Sequence, residues 1–384
     1  MKKMLIIAPM YPFPCKCGMT VRIGDMCNNI ADSVELHIYA CDDSFDNATI
    51  EHEDLFKSIS FPRKNIKKGF LNKIIPRLKR KIIKPYFDDS LYIADYILED
   101  LSLLHKKYGF ETVMIHTPTL ARCLNAFPDE VYKIVDSIDI WHQRYLDFCR
   151  IGQGKVLSHF RNLELELSLY KSADLVLAIS LWDRDYLISH GLNPIYVPVS
   201  FKPDPLLAKT PAGFDVLYAS GNGYANIDAV HFFMDEILPI VKLSLPDVKL
   251  LVPNACDVLK KDYSQDPNIR MLPFYEDIKD AYKLADLVVV PLRAGSGLKI
   301  KVLESFSFGC PTILSNVAAQ GISLQAYAQK DFPSNPVLFA SEVVTAFKDR
   351  EYRDSLSNSG IEIIRKEYNS AKVYQELKNK ISFE

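Results

Sequence analysis

The feature that most constrains this chain is an alternation. Short apolar runs are followed, again and again, by stretches with helical spacing. In the first half the runs are Met4–Met10, Val34–Tyr39, Thr112–His116, Lys133–Asp136, Leu175–Ile179 and Ile195–Val199. In the second half they are Asp215–Ala219, Lys249–Pro253, Ile269–Phe274, Leu287–Leu292 and Pro311–Ser315, with helical stretches such as Ile227–Val241 and Asp277–Ala285 between them. A strand separated from the next by a helix crosses over and returns parallel, so the pattern predicts βαβ units and parallel sheets. A chain of 384 residues exceeds what one hydrophobic core organises, and the Pro-rich stretch "SFKPDPLLAKTPAGF" at Ser200–Phe214 separates the two series. The expected fold class is therefore α/β, with two Rossmann-like doubly wound domains facing a central cleft. Their expected bounds are 1–200 and 214–370, joined by a linker at 201–213, with a terminal helix over 371–384 packing back on the first domain. Ligands of such sheets bind at the carboxyl ends of the strands, which places the site in the cleft.

Composition excludes several functions. The net charge of −2 argues against general nucleic-acid binding. The eight cysteines form no C-x-x-C pair, which points to reduced thiols rather than a zinc site or disulfide framework. The start, "MKKMLIIAPMYP", has too short an apolar run, broken by prolines, for a signal peptide and reads as a first buried strand. No stretch reaches the ~20 apolar residues of a membrane span. One segment stands out: Leu55 to Phe87 holds eleven Lys or Arg and no Asp or Glu. Phe70, Leu71, Ile74, Ile75, Leu78, Ile82 and Ile83 recur among the cations at three- and four-residue steps, and Pro76 splits them. A basic amphipathic stretch over 63–87 suits an anionic membrane surface, or simply a solvated face.

The segment "VPLRAGSGLKIKVLESFSFGCP" carries the chemistry. A buried strand ends, and a Gly-Ser-Gly turn lets backbone approach a ligand. With Ser296 as N-cap, Gly297, Leu298 and Lys299 become the first helical residues, and their free N–H groups make an anion site. A lysine in that first turn opposes the helix dipole, a cost that makes sense when an anion sits there. Lys301 and Glu304, three apart, are spaced to pair with each other.

The pattern "ADLVVVPLRAGSGLKIKVLESFSFGCPTILSN" resembles the donor-binding motif of GT-B glycosyltransferases, in particular glycosyltransferase family 4, with its G-x-G-x-K-x-K-x-L-E run. "VLYASGNGYANIDAVHFFMDEILPIVK" is similar to the family's opening of the second domain, and "NIRMLPFYEDIKDAYKLADLVVVP" to the strand and helix that hold the nucleotide base. "YPFPCKCGMTVR" is similar to the first-domain loop P-x-x-x-G-x-x-x-R. The resemblance is strong from Asp215 to Gly321 and loose between Cys41 and Leu104.

The resemblance implies the GT-B fold, with an N-terminal acceptor domain and a C-terminal donor domain. Glu304 would bind the nucleotide ribose, and Lys299 with the Gly297 and Leu298 amides would hold the diphosphate. Phe274 and Tyr275 would flank the base. Gly18 would let the first-domain loop close on the donor phosphates, assisted by Arg22. Gly221, Asn222 and Ser296 would line the donor side. His116 would lie near the acceptor and transferred sugar, with Asp136 and Asp139 on the acceptor side. Lys299, Glu304 and His116 are thus the catalytic candidates. The Asp183–Asp185 D-x-D reads as a helix start rather than a metal site, and no metal or cofactor is expected.

Two departures matter. Many family members carry two glutamates with seven residues between them, and the first position here is Ser296. Many carry an Arg and a Lys after the first strand of the second domain, where this chain has "SGNGYANID". Ordinary structural roles remain open for several candidates: a strand-end histidine at His116, turn or cap carboxylates at Asp136 and Asp139. The expected function is sugar transfer from a UDP- or GDP-linked donor to a hydroxyl of a glycan or lipid-linked acceptor, with retention, in bacterial surface polysaccharide or glycolipid assembly. The expected location is the cytoplasm, at the inner face of the plasma membrane. The alternatives are a non-catalytic nucleotide-sugar or glycan-binding partner of another transferase, and a nucleotide-sugar 2-epimerase.

Overall fold

The computed structural model describes residues 1–15, 17–42, 51–63, 93–206, 215–219, 221 and 223–383. The basic stretch 63–87 lies, except for Arg63, outside the described residues, as do Asn222 and most of the linker.

The first sheet contains β1 (Lys3–Ala8), β2 (Glu35–Ala40), β3 (Ser58–Ser60), β4 (Thr112–His116), β5 (Tyr132–Asp136), β6 (Leu175–Ala178) and β7 (Ile195–Tyr196). Its order is β3-β2-β1-β4-β5-β6-β7, and the paired strands run parallel. The intervening helices are α1 (Gly18–Ile30), α2 (Asp95–Tyr108), α3 (Trp141–Arg150), α4 (Leu163–Tyr170) and α5 (Leu181–Ser189). Strand β1 shows why its sequence is apolar throughout. Met4, Ile6 and Ala8 enter the core on one face, and Leu5 and Ile7 enter the core on the other. A strand covered on both faces has no solvent side to mark with polar residues. Strand β3 escapes the pattern because it is a three-residue edge with two serines, paired to His37–Tyr39.

The second sheet contains β8 (Asp215–Leu217), β9 (Lys249–Pro253), β10 (Ile269–Leu272), β11 (Leu287–Val290) and β12 (Thr312–Leu314), in the order β10-β9-β8-β11-β12, again parallel. Helices α6 (Tyr224–Phe232) and α7 (Leu238–Lys242) form one rod, joined by a widened π-turn at Phe233–Ile237. Pro239 has no N–H for a helical bond and its ring crowds the preceding turn, and the wider turn accommodates both. The remaining helices are α8 (Asp257–Asp262), α9 (Lys279–Tyr282), α10 (Ile300–Ser307), α11 (Asn316–Ala319), α12 (Pro336–Lys348), α13 (Arg350–Glu367) and α14 (Ser370–Phe383). None of the described helices is long and apolar enough to cross a membrane.

The chain crosses between the two cores twice. Tyr368, just after α13, belongs to the second core. On α14, Val373, Tyr374, Leu377 and Ile381 are buried in the first core beside α1. Asp25 of α1 ties both crossings together. Its carboxylate accepts from Ser200 N–H at 2.6 Å, Ser200 Oγ at 2.7 Å and the Tyr374 hydroxyl at 2.6 Å. Replacing it leaves partly buried donors without a partner. Asp25→Ala is expected to lower unfolding stability by about 1–3 kcal/mol, read from the urea midpoint, with Asp25→Asn recovering part of the loss.

Candidate active site

In the second sheet β8 and β11 are neighbours, and the chain leaves β8 toward β9 on the other side. That is a topological switch point, where the loops following the two strands splay apart and leave a crevice. The loop after β8 runs through Gly221 and Gly223 to α6, and the loop after β11 runs from Pro291 to Lys299 and α10. A cavity of ≈ 500 Å³ beside Tyr132, Leu175, Ile195 and Lys380 lies at the opposite, amino-terminal ends of β5, β6 and β7.

Helix α10 begins later than its sequence suggests. Ser296 is not its N-cap; Lys299 is, and Ile300 is the first helical residue. Gly295 at φ +142° and Gly297 at φ +68° carry the loop through conformations that a helix start excludes. The Gly297 and Leu298 amides are therefore loop amides, not first-turn amides. Leu298 instead turns into the second core.

The turn meets the first domain directly. A Cβ on Gly297 would lie 2.9 Å from Asp139 Cβ and 3.0 Å from the Ile138 carbonyl oxygen. Ser296 Oγ donates to the Asp139 carboxylate at 3.0 Å, and Asp139 also pairs with Arg144 of α3. Asp139 is thus engaged across the seam. Lys299 is only 7% exposed, and its ammonium donates to the Gly295 and Gly297 carbonyls at 3.2 Å each. Burial pushes its pKa down to about 8, against the opposing pull of Asp183 and Asp147 from the first domain. Asp183 is itself raised to about 6 by burial, with its bond from Ser180 and the Lys299 charge acting the other way. Gly18 opens α1 beside the start of α10; a Cβ there would lie 3.4 Å from Ile300 Cδ1.

Lys301 and Glu304 do not settle on each other, as a bare helix would allow. Lys301 Nζ donates to the Tyr218 hydroxyl at 3.0 Å and to Asn226 Oδ1 at 2.7 Å, and lies 4.2 Å from the centre of the Tyr218 ring. Burial lowers its pKa to about 7, with Glu304 opposing. Glu304 accepts from the Tyr282 hydroxyl at 2.9 Å; burial raises its pKa, and that bond and Lys301 offset part of the rise. Tyr218, Asn226 and Tyr282, which contact Lys301 and Glu304, are candidate site residues that the sequence did not mark out. The available signal was position: Tyr218 immediately follows β8, and Asn226 lies in the first turn of α6. Phe274 and Tyr275 follow β10, two strands from the switch point. Phe274 is 57% exposed, and Tyr275 packs partly against the second core. Gly221 lies beside Asn226, to whose Nδ2 a Cβ would approach within 3.1 Å.

On the first sheet, His116 ends β4 and Asp136 ends β5, paired in register. Both are fully buried. Asp136 receives His116 Nδ1 at 2.8 Å and a two-pronged contact from Arg22, Nε and Nη2 at 3.1 Å each. Burial alone would raise the Asp136 pKa, but the Arg22 charge and the His116 bond outweigh it and hold it well below the usual carboxylate range. Asp136 therefore accepts, Nδ1 carries the proton, and His116 Nε2 is left buried with no hydrogen-bond partner among the described residues. Arg22 is 0% exposed, and its remaining contact is the Pro198 carbonyl oxygen at 2.6 Å. Asp136 is engaged by Arg22 and His116.

Two outcomes follow from this geometry. Arg22→Met strands a buried carboxylate, so unfolding stability should fall by about 3–5 kcal/mol in urea, without a separate loss of nucleotide affinity in the folded fraction. Lys301→Met should raise the melting temperature most below pH 7. There both folded and unfolded wild type carry the proton, and the folded state bears the full cost of the buried charge. Because the folded pKa of about 7 lies below the ordinary 10.5, that cost declines as pH rises between the two values. A wild-type and mutant pair whose difference stays constant from pH 7 to 10 would contradict this.

Comparison with known proteins agrees with the architecture. A family model described as "Glycosyl transferases group 1" matches residues 214–349. HepE from Anabaena, solved with UDP and glucose, superposes with a TM-score of 0.69 at 13% identity, covering 99% of each chain. Sucrose-phosphate synthase from Thermosynechococcus elongatus gives 0.70 at 16% identity, covering 99% of this chain and 97% of that one. A TarM mutant from S. aureus, solved with Fondaparinux, alpha-GlcNAc-glycerol and UDP, gives 0.71 at 10% identity, covering 98% and 99%. No curated protein matches the chain significantly in sequence. Strand order, switch-point loops and the family match converge on one half: residues 214–349 are similar to the group 1 glycosyl transferase model, and the whole chain has the GT-B architecture of two facing Rossmann-like domains.

Proposed function

We propose that this protein transfers a sugar from a nucleotide-diphosphate sugar to a hydroxyl acceptor. The observation that carries this reading is the placing of Glu304 and Lys301 on the helix that follows β11, at the switch point of a group 1 domain. Glu304 is the ribose ligand in this reading. Solved relatives contain UDP, which supports a UDP-linked donor, with GDP as the other candidate.

The chemistry breaks the bond between the sugar's anomeric carbon and the diphosphate oxygen. The acceptor oxygen then joins that carbon, with retention of configuration. The transition state carries positive charge on the sugar and growing negative charge on the diphosphate. Fixed cations and amides beside that oxygen lower the barrier without reorganising. The departing diphosphate takes the acceptor proton, and His116, fixed by Asp136 at the end of β4, is a positioning group on the acceptor side. The reading needs no metal ion. The acceptor is a glycan or lipid-linked sugar at the inner face of a bacterial plasma membrane, approached through the basic stretch 63–87.

UDP, GDP, ADP and CMP are the first ligands to test, by thermal stabilisation with and without magnesium. One nucleotide diphosphate should stabilise wild type, with or without the metal, and Glu304→Ala should abolish the shift. Four flat results would remove the ground for the transferase reading. For the membrane part, neutralising Lys79, Arg80 and Lys81 should weaken binding to anionic vesicles; unchanged binding and turnover of a lipid acceptor would end it.

A further inference from the structure

The loop after β8 reads "YASGNG" and carries no cation of its own. Yet a cation stands beside it. Lys301 reaches from α10 on one side of the crevice to Tyr218, the first residue after β8 on the other. Its ammonium has three N–H donors. Two are taken by neutral oxygens, the Tyr218 hydroxyl and Asn226 Oδ1. No carboxylate forms an ion pair with it among the described residues; Glu304, one turn on, is bonded to Tyr282. A cation drawn out of water without a counter-ion is costly, and proteins ordinarily pair or neutralise such a group. The low pKa of Lys301 expresses that cost.

Lys299 is the opposite case. Its ammonium is bonded to two loop carbonyls and faces Asp147 and Asp183 across the domain seam. Two carboxylates of the first domain act on its charge, where Glu304 alone acts on that of Lys301.

We infer that Lys301, rather than Lys299, is the residue that takes the diphosphate of the nucleotide, with Tyr218 and Asn226 as positioning residues that hold its ammonium at the edge of β8. The assignment rests on the transferase reading and refines its donor site. The anion supplies the missing counter-charge and receives the third N–H. Gly221 and Gly223 leave the facing backbone without side chains, so phosphate oxygens can come close. Lys299 closes the seam between the domains and does not contact the donor.

Titration calorimetry decides it, using UDP, GDP, UMP and GMP on wild type, Lys301→Met, Lys301→Arg and Lys299→Met. Wild type should bind one of the diphosphates. Lys301→Met should weaken that diphosphate about ten- to a hundredfold, as expected for one charge-assisted contact, and the matching monophosphate far less. Lys301→Arg should recover part of the loss, and Lys299→Met should leave the ratio of diphosphate to monophosphate affinity unchanged. Diphosphate binding by Lys301→Met equal to wild type would overturn the assignment. So would an equal loss of both nucleotides, which marks a merely structural lysine, or a selective diphosphate loss in Lys299→Met. A wild type that binds neither diphosphate would overturn the transferase reading and this assignment together, whereas the first three outcomes overturn this assignment alone.

Discussion

Everything in this protein that has chemical potential depends on one geometric constraint. In a parallel sheet each strand is followed by a crossover, so all carboxyl ends point to one edge and every functional loop opens there. The chain satisfies that constraint twice. In the first sheet it lines up His116 and Asp136 as register partners on β4 and β5. In the second it brings the loops after β8 and β11 together around Lys301. The contacts among Asp139, Ser296 and Gly297 show that the two edges meet.

The seam between those edges is an electrostatic joint. Arg144, Asp139, Asp147 and Asp183 stand on the first domain, and Ser296 and Lys299 on the second. Gly297 sits where any side chain would strike Asp139, so the approach is set by backbone as much as by charge. Burial pushes Asp183 up and Lys299 down, which brings both closer to neutrality and lessens the penalty of drying them. The Arg22–Asp136–His116 group works differently. There the charges are fully paired, and the product is a histidine with one nitrogen anchored and the other unpartnered.

Much of the fold was legible in the order of residues. The apolar runs mark strands because parallel strands are buried on both faces, and two of them, Thr112–His116 and Lys249–Pro253, match the observed strands residue for residue. The edge strand Ser58–Ser60 was not legible, since it is short and half polar. The start of α10 was misplaced because Ser296 has the chemistry of a cap but stands before a left-handed Gly297. Glu304 and Lys299 stood out in their motif. The partners that give them meaning did not, because Tyr282, Asp147 and Asp183 are distant in sequence.

The sequence by itself determined the alternation of strand and helix, the two-sheet α/β class, and the helix on which the candidate donor residues sit. Those are local properties, written in hydrophobic period and turn chemistry. Only the tertiary structure decided which charges are paired within the protein and which are not. Arg22 looked like a phosphate ligand and is consumed by Asp136, 114 residues away. Lys301 looked like half of a helix-surface pair and, among the described residues, forms no ion pair, bonding instead to Tyr218, 83 residues earlier. The reason is physical: whether a buried charge is answered depends on what lies within a few ångströms of it, and that is set by how the sheets and their loops assemble.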